Sequence, residues 1–299
     1  MPVKESLKSF FKLFIKIAVT VICLWYVSRK IDWGKSFQII TNSNLLWLFA
    51  AIILFTASKI VSSIRLNIYF DNINLKISQL QNLKLYWLGM FYNLFLPGGI
   101  GGDAYKVILL NRTYQHSAKL LSAAVLLDRI SGVVGLGILA VIYYYFVFHG
   151  ANFSLLLLCL LPVGIAVYYF IVIKIFPSFV KGFWPALWLG LAVQILQVLC
   201  AYSIMSALHI SEHQTAYILI FLLSSIVAIL PFTIGGLGAR EVVFLWGSNT
   251  LLHITNDPTP VSISITFYLI TLVISFIGVY WVYNNPLKER KILSEVEGL

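Results

Sequence analysis

The sequence predicts an all-α polytopic integral membrane protein built from two inverted repeats, with about six full spans and two re-entrant, Gly/Pro-broken helical hairpins. Three observations lead there. Of 299 residues, 60% are apolar and 11% charged, whereas soluble domains carry about 45–50% apolar and roughly 25% charged residues. The mean hydropathy is +0.91, and the apolar residues fall in blocks of about twenty, the length of helix that crosses a bilayer. Finally, an apolar stretch interrupted by proline and glycine occurs twice, at a fixed spacing.

The first span is expected at 11–28, behind a basic start carrying Lys4, Lys8, Lys12 and Lys16. No small-x-small cleavage site follows it, so it reads as an uncleaved span with a cytoplasmic N-terminus. Further spans are expected at 45–64, 120–147, 152–173, 184–208 and 261–283. Two other apolar stretches, 83–111 and 215–251, are broken in the middle, and neither half of either is long enough to cross alone. Such segments persist in a bilayer only when protein or a wet cavity satisfies their freed backbone groups.

Charge sets the sidedness. With both broken stretches entering and leaving on one side, the inner face collects fifteen basic residues, counting Arg65, Lys76, Lys84, Lys106, Arg112 and Lys119, and the outer loops hold three. The positive-inside rule then places both termini in the cytoplasm. Lys59, Arg129 and Arg240 stand apart, inside apolar runs. The net charge of +10 is therefore scattered through short loops and offers no nucleic-acid groove. Cys23, Cys159 and Cys200 lie in apolar runs without metal or disulfide spacing, and no cofactor motif occurs.

The glycine clusters Gly98-Gly99-Ile100-Gly101-Gly102 and Gly235-Gly236-Leu237-Gly238-Ala239 are 137 residues apart. Shifting span 45–64 by that offset lands on 184–208, and shifting 120–147 lands on 261–283. The chain thus reads as a single membrane domain over 1–299, with repeat A at 1–147 (re-entrant 83–111) and repeat B at 148–299 (re-entrant 215–251). Three crossings per half invert the second half. Inverted repeats with broken helices at matching positions are a transporter pattern, with the site expected at the breaks.

Chemistry is expected at those breaks. After Asn93 and Pro97, the four glycines Gly98, Gly99, Gly101 and Gly102 permit a sharp turn, and Asp103 stands where the returning half-helix starts. Asp103 reads either as an N-cap there or as part of a site beside a nest of glycine N–H groups suited to an anionic head group. The second break carries Gly235, Gly236 and Gly238, followed by Arg240-Glu241, and Asp128-Arg129 lies inside the span 120–147. Ionisable groups at such depth face a bundle interior or cavity. Pairing of Asp103 with Arg240, or of Arg129 with Glu241, is one expectation, and a hydrated lipid-head-group site is the other. Gln194 and Gln197 share a helix face and suit interhelical hydrogen bonds.

These motifs in order, Asn93…Pro97-Gly98-Gly99-x-Gly101-Gly102-Asp103, Asp128-Arg129-x-x-Gly132 and Pro231-x-x-x-Gly235-Gly236-Leu237-Gly238-x-Arg240-Glu241, resemble the flippase-like family. That family comprises the transmembrane region of lysylphosphatidylglycerol synthases and its stand-alone relatives. The resemblance covers essentially the whole chain. It implies an integral inner-membrane protein that moves a lipid between leaflets. The charges at the breaks suit an anionic or phosphate-bearing lipid, with Arg129 and Arg240 expected to hold the phosphate and Asp103 and Glu241 to fix the arginines or relay protons. Lys106 stands where the family commonly has arginine, which removes a bidentate contact. The chain ends sixteen residues after Tyr283, so the aminoacyl-transfer domain and its enzyme activity are expected to be absent. The competing readings are a membrane enzyme of lipid or envelope-glycan assembly and an accessory partner of envelope-synthesis enzymes.

Overall fold

The computed structural model describes residues 18, 20–30, 32–95, 101–148, 151–229, 236–255, 257–284 and 286–287. Those residues form helices, turns and loops and no strand. A short helix α1 (Trp33–Thr41) is capped by Asp32, which accepts a hydrogen bond from the Lys35 backbone N–H at 3.2 Å. α2 (Leu45–Asp71) starts at Asn44, whose side-chain oxygen accepts from the Leu46 N–H at 2.9 Å. Next come α3 (Gln79–Phe95), α4 (Gly101–Tyr114), α5 (Ala118–Val147) and α6 (Asn152–Ile175). A 3₁₀ turn at Pro177–Gly182 leads into α7 (Phe183–Ala207), followed by α8 (Gln214–Ile229) and α9 (Ala239–Leu252). α10 (Thr259–Phe276) continues through a 3₁₀ turn, Ile277–Val279, into α11 (Tyr280–Tyr283).

Among the described residues, five helical stretches are long and apolar enough to cross a membrane: 45–72, 118–147, 152–175, 177–207 and 259–283. They match five of the six expected spans. The sixth, 11–28, lies partly outside the described residues, and its part 20–28 is helical. The second span is longer than expected. It runs on to Asp71, so Arg65 is not an inner-loop residue but sits inside α2 at 4% exposure. Lys106, also assigned to the inner face from sequence, is buried within α4 at 4% exposure.

The outer surface is apolar and the interior holds the polar groups. Leu155, Leu160, Val163, Val167, Phe170 and Ile171 of α6 are exposed, whereas Ser58, Ser62, Ser63, Arg65, Asp103, Asp128 and Glu241 are buried. Water-soluble folds bury the first kind of residue and expose the second. Hydrocarbon as the surrounding solvent inverts the preference, because apolar side chains lose nothing there and polar ones must find partners inside.

The two broken stretches form helical hairpins. α3 packs along α4 so closely that a Cβ on Gly102 would stand 1.9 Å from the Gly89 carbonyl oxygen. α8 packs along α9, with Gly247 against Ile220. At about 1.5 Å per residue these helices are roughly 21–26 Å long, short of the ~30 Å hydrocarbon core. The connections 96–100 and 230–235, with Gly98, Gly99 and Gly235, lie outside the described residues.

The hairpins open at opposite ends of the bundle. Gln79 at the start of α3 bonds to Asn67 and Ser63 on α2, and His116 just after α4 meets the Ile73 carbonyl at 2.9 Å. Both mouths of the first hairpin therefore lie at the C-terminal end of α2. Gln214 at the start of α8 donates to Ile210 O, and the Asn44 N–H donates to Ala207 O, which places that mouth at the N-terminal end of α2. Pro258, just beyond α9, shares a pocket with Leu208, His209 and Asn42 at the same end. α2 and α7 pack antiparallel, since Gly182 at the start of α7 abuts Asn72 beyond the end of α2.

Candidate functional site

Ionic groups sit along the inside of this bundle. Arg65 on α2 donates from Nε to Asp128 Oδ1 on α5 at 2.7 Å, with side-chain exposures of 4% and 9%. Two glycines make room for the guanidinium: a Cβ on Gly132 would stand 3.2 Å from Arg65 Nη1, and one on Gly190 would stand 3.4 Å away. Gly190 also lets α7 approach α5, where a Cβ would meet Ser131 O at 2.7 Å, and Gln194 Nε2 donates to Gly132 O at 3.1 Å. Close helix approach through small residues, joined by side-chain amides, is how bundles pack where the solvent gives no hydrophobic drive.

At the next residue of α5, Arg129 Nε pairs with Asp103, which also bridges Lys106 Nζ at 3.0 Å. The expected N-cap role of Asp103 is not what the structure shows. Asp103 lies within the first turn of α4, and Asn93 serves the helix end instead, its side-chain oxygen accepting from the Gly102 N–H at 2.8 Å. Gly89 leaves room for the Lys106 stem, whose ammonium lies 4.5 Å from the Tyr86 ring centre. Arg129 remains 31% exposed beside a cavity of about 340 Å³ lined by Ala104, Val107, Ile108, Ser122, Val125 and Leu126.

The second break is organised differently. Gly236 and Gly238 have φ of +82° and +83°, a left-handed backbone that side chains with a Cβ rarely adopt. Glu241, 1% exposed, accepts from the Gly238 N–H at 2.7 Å and from Ser264 Oγ at 2.9 Å. It therefore caps α9 and tethers it to α10, and it fixes no arginine. Arg240, on the neighbouring face, makes no ion pair among the described residues. Its guanidinium lies 4.7 Å from the Phe267 ring centre and 5.5 Å from that of Phe221, and Nη1 is buried without a hydrogen-bond partner.

Neither expected cross-pair forms: Asp103 holds Arg129 rather than Arg240, and Glu241 holds a backbone amide and a serine. Two further cations belong to the group. Arg65 escaped notice because a loop was expected there. Lys59, on α2, carries a legible signal, a lone lysine inside an apolar run. Its ammonium lies 4.4 Å from the Phe55 ring centre, and with Arg240 and Gln197 it lines a cavity of about 130 Å³. A cation–π contact contributes about 0.5–2 kcal/mol, less than the ~2.5–3.5 kcal/mol that a lysine or arginine costs at the centre of a span. Aromatic contact alone therefore does not offset the presence of Lys59 at this depth.

An all-helical, multi-pass membrane protein with its ionic groups gathered inside the bundle is the class that fold and site define. The chain belongs to the family of the lysylphosphatidylglycerol synthase TM region, whose family model matches residues 13–278. It is also similar to UPF0104 membrane protein PH1989 of Pyrococcus horikoshii, 23% identical over 130 residues, or 43% of this chain and 38% of that protein. The match thus spans well under half the length of that relative.

Proposed function

We propose that this protein moves an anionic or phosphate-bearing lipid between the leaflets of the cell membrane. The observation that carries the reading is a line of charge inside the bundle that joins two hairpins opening at opposite ends. It runs from Asp103, Lys106 and Arg129 at the first hairpin, through Asp128 and Arg65, to Lys59 and Arg240 at the second. Lys59 and Arg65 lie six residues apart on α2, about 9 Å along its axis. Charged groups inside spans face substrate or ion pathways, and broken half-helices at matching positions of inverted halves are the parts from which alternating-access sites are made.

Two further features support inverted halves. Displaced by 137 residues, α2 to α4 become 182–208, 216–232 and 238–251, beside α7 at 183–207, α8 at 214–229 and α9 at 239–252. The two corresponding helices α2 and α7 also run antiparallel, as inversion requires. Basic residues in the loops and terminal turns, Lys76, Arg112, Lys119, Lys174 and Lys181, lie at the end where the first hairpin opens. That end is the cytoplasmic one in this reading, and both termini lie there.

Reconstitution into vesicles with leaflet-labelled fluorescent lipids tests the proposal. The protein accelerates exchange of an anionic lipid over protein-free vesicles, and Asp103→Asn slows that exchange tenfold or more while the protein still elutes as a folded species. Exchange no faster than in empty vesicles for phosphatidylglycerol, phosphatidylethanolamine and a polyprenyl phosphate alike would overturn it.

A further inference from the structure

Lys59 and Arg240 are 181 positions apart in the chain and line one cavity of about 130 Å³ with Phe55, Gln197, Phe267, Tyr268 and Thr271. The volume is far above the ~10–15 Å³ that a single water needs. Its floor is aromatic: Phe267 stacks edge-on against Phe55 at 5.5 Å and against Phe221 at 4.9 Å. Each of its main polar groups can donate. Lys59 brings an ammonium, Arg240 a guanidinium with a buried, unpartnered Nη1, Gln197 an amide and Tyr268 a hydroxyl. Among the described residues, no carboxylate lines it. The nearest acid in sequence, Glu241, has its two oxygens committed to Gly238 and Ser264. The contrast with the rest of the bundle is sharp, because Arg65, Lys106 and Arg129 each sit on an aspartate.

Two cations in one partly closed, low-dielectric space repel each other, and a protein keeps such a pair when an anion completes it. A phosphate group fits the arrangement. Its oxygens take the fork of an arginine and the point charge of a lysine, and its one or two negative charges balance the pair. We propose that Lys59 and Arg240, assisted by Gln197, form a phosphate-binding site at the centre of the bundle. The site rests on the transport reading for its biological role, with the phosphate of a lipid head group as the cargo, but its chemistry stands without it.

Calorimetric titration of the purified chain in dodecyl maltoside, an uncharged and phosphate-free detergent, tests this with two probes, inorganic phosphate and dihexanoyl-phosphatidylglycerol. The wild type binds at least one of them. Saturation by the lipid alone identifies a head-group site, and saturation by inorganic phosphate alone identifies a site for a soluble phosphate. Lys59→Met and Arg240→Met each weaken binding tenfold or more, whereas Lys59→Arg retains it. Without ligand, Lys59→Met unfolds at a higher temperature than wild type, because it removes one of two like charges. A wild type that binds neither probe would overturn the proposal, as would a Lys59→Met protein that binds like wild type or loses its fold. Leaflet exchange measured on the same preparations separates the two claims. Exchange that survives unchanged in Lys59→Met and Arg240→Met refutes the site as the cargo site and leaves transport standing. Phosphate binding without any exchange refutes transport and leaves the site.

Discussion

Asp128→Asn removes the counter-ion of Arg65 while keeping the shape of the side chain. The guanidinium is then left charged at 4% exposure, with Gly132 and Gly190 backbone on two sides and Nη1 already without a partner. Breaking a buried pair by neutralising one member costs about 3–5 kcal/mol, because the survivor keeps its desolvation penalty and loses its compensation. At about 2–4 °C per kcal/mol, the scale of soluble domains of 150–250 residues, the variant unfolds roughly 6–20 °C below wild type. The pair is also separable from the fold around it. Arg65→Met combined with Asp128→Asn removes both charges, so no uncompensated ion is left buried. The double variant therefore recovers most of the loss, and a double-mutant cycle gives a coupling energy well above the ~0.5 kcal/mol additivity error of independent sites. Intrinsic-fluorescence melting in dodecyl maltoside measures all four proteins. An Asp128→Asn protein that melts within 2 °C of wild type, or a double variant as unstable as the single, would refute the reasoning that this bond holds α2 to α5.

The remaining predictions concern the hairpins. Gly102→Ala places a Cβ 1.9 Å from Gly89 O, a backbone atom that cannot yield without parting α3 from α4, so melting falls by at least the ~1–3 kcal/mol typical of overpacking. Gly137→Ala is the matched control: nothing lies within 4 Å of its Cβ, and a helical glycine replaced by alanine gains about 1 kcal/mol, raising the melting temperature. Glu241→Ala leaves the Gly238 N–H and the Ser264 hydroxyl without an acceptor. At about 1–3 kcal/mol per orphaned group, it lowers stability more than Glu241→Gln, which retains one oxygen. The order Ala below Gln below wild type, read by the same melting assay, checks the capping role.

The spans were legible because bilayer crossing is a local property. About twenty consecutive apolar residues suffice, and five described helices fall within a few residues of where composition places them. The hairpins were legible for a similar reason, since proline and glycine break a helix wherever they stand. The end of α2 was misread because the apolar run fades before the helix does. Arg65 then looks like a loop residue when it is a buried one.

Which charge meets which was decided only by the tertiary structure. Arg65 finds Asp128 across 63 residues, and Asp103 takes Arg129 across 26, while Arg240 is left to share a cavity with Lys59. In water, the apolar face of a helix shows which side is turned inward. In a bilayer the face toward lipid and the face toward protein are both apolar, so the sequence carries no comparable mark of helix rotation. Rotation is set instead by close approaches such as Gly102 on Gly89 and Gly190 on Ser131, and these depend on neighbours far away in the chain. The sequence by itself determined that ionic groups would lie at depth, because a lone charge in an apolar run is visible to inspection. The packing of α2, α5, α7 and α10 decided which of them are neutralised and which are left facing one another, because a charge at that depth is compensated only by groups within a few ångströms.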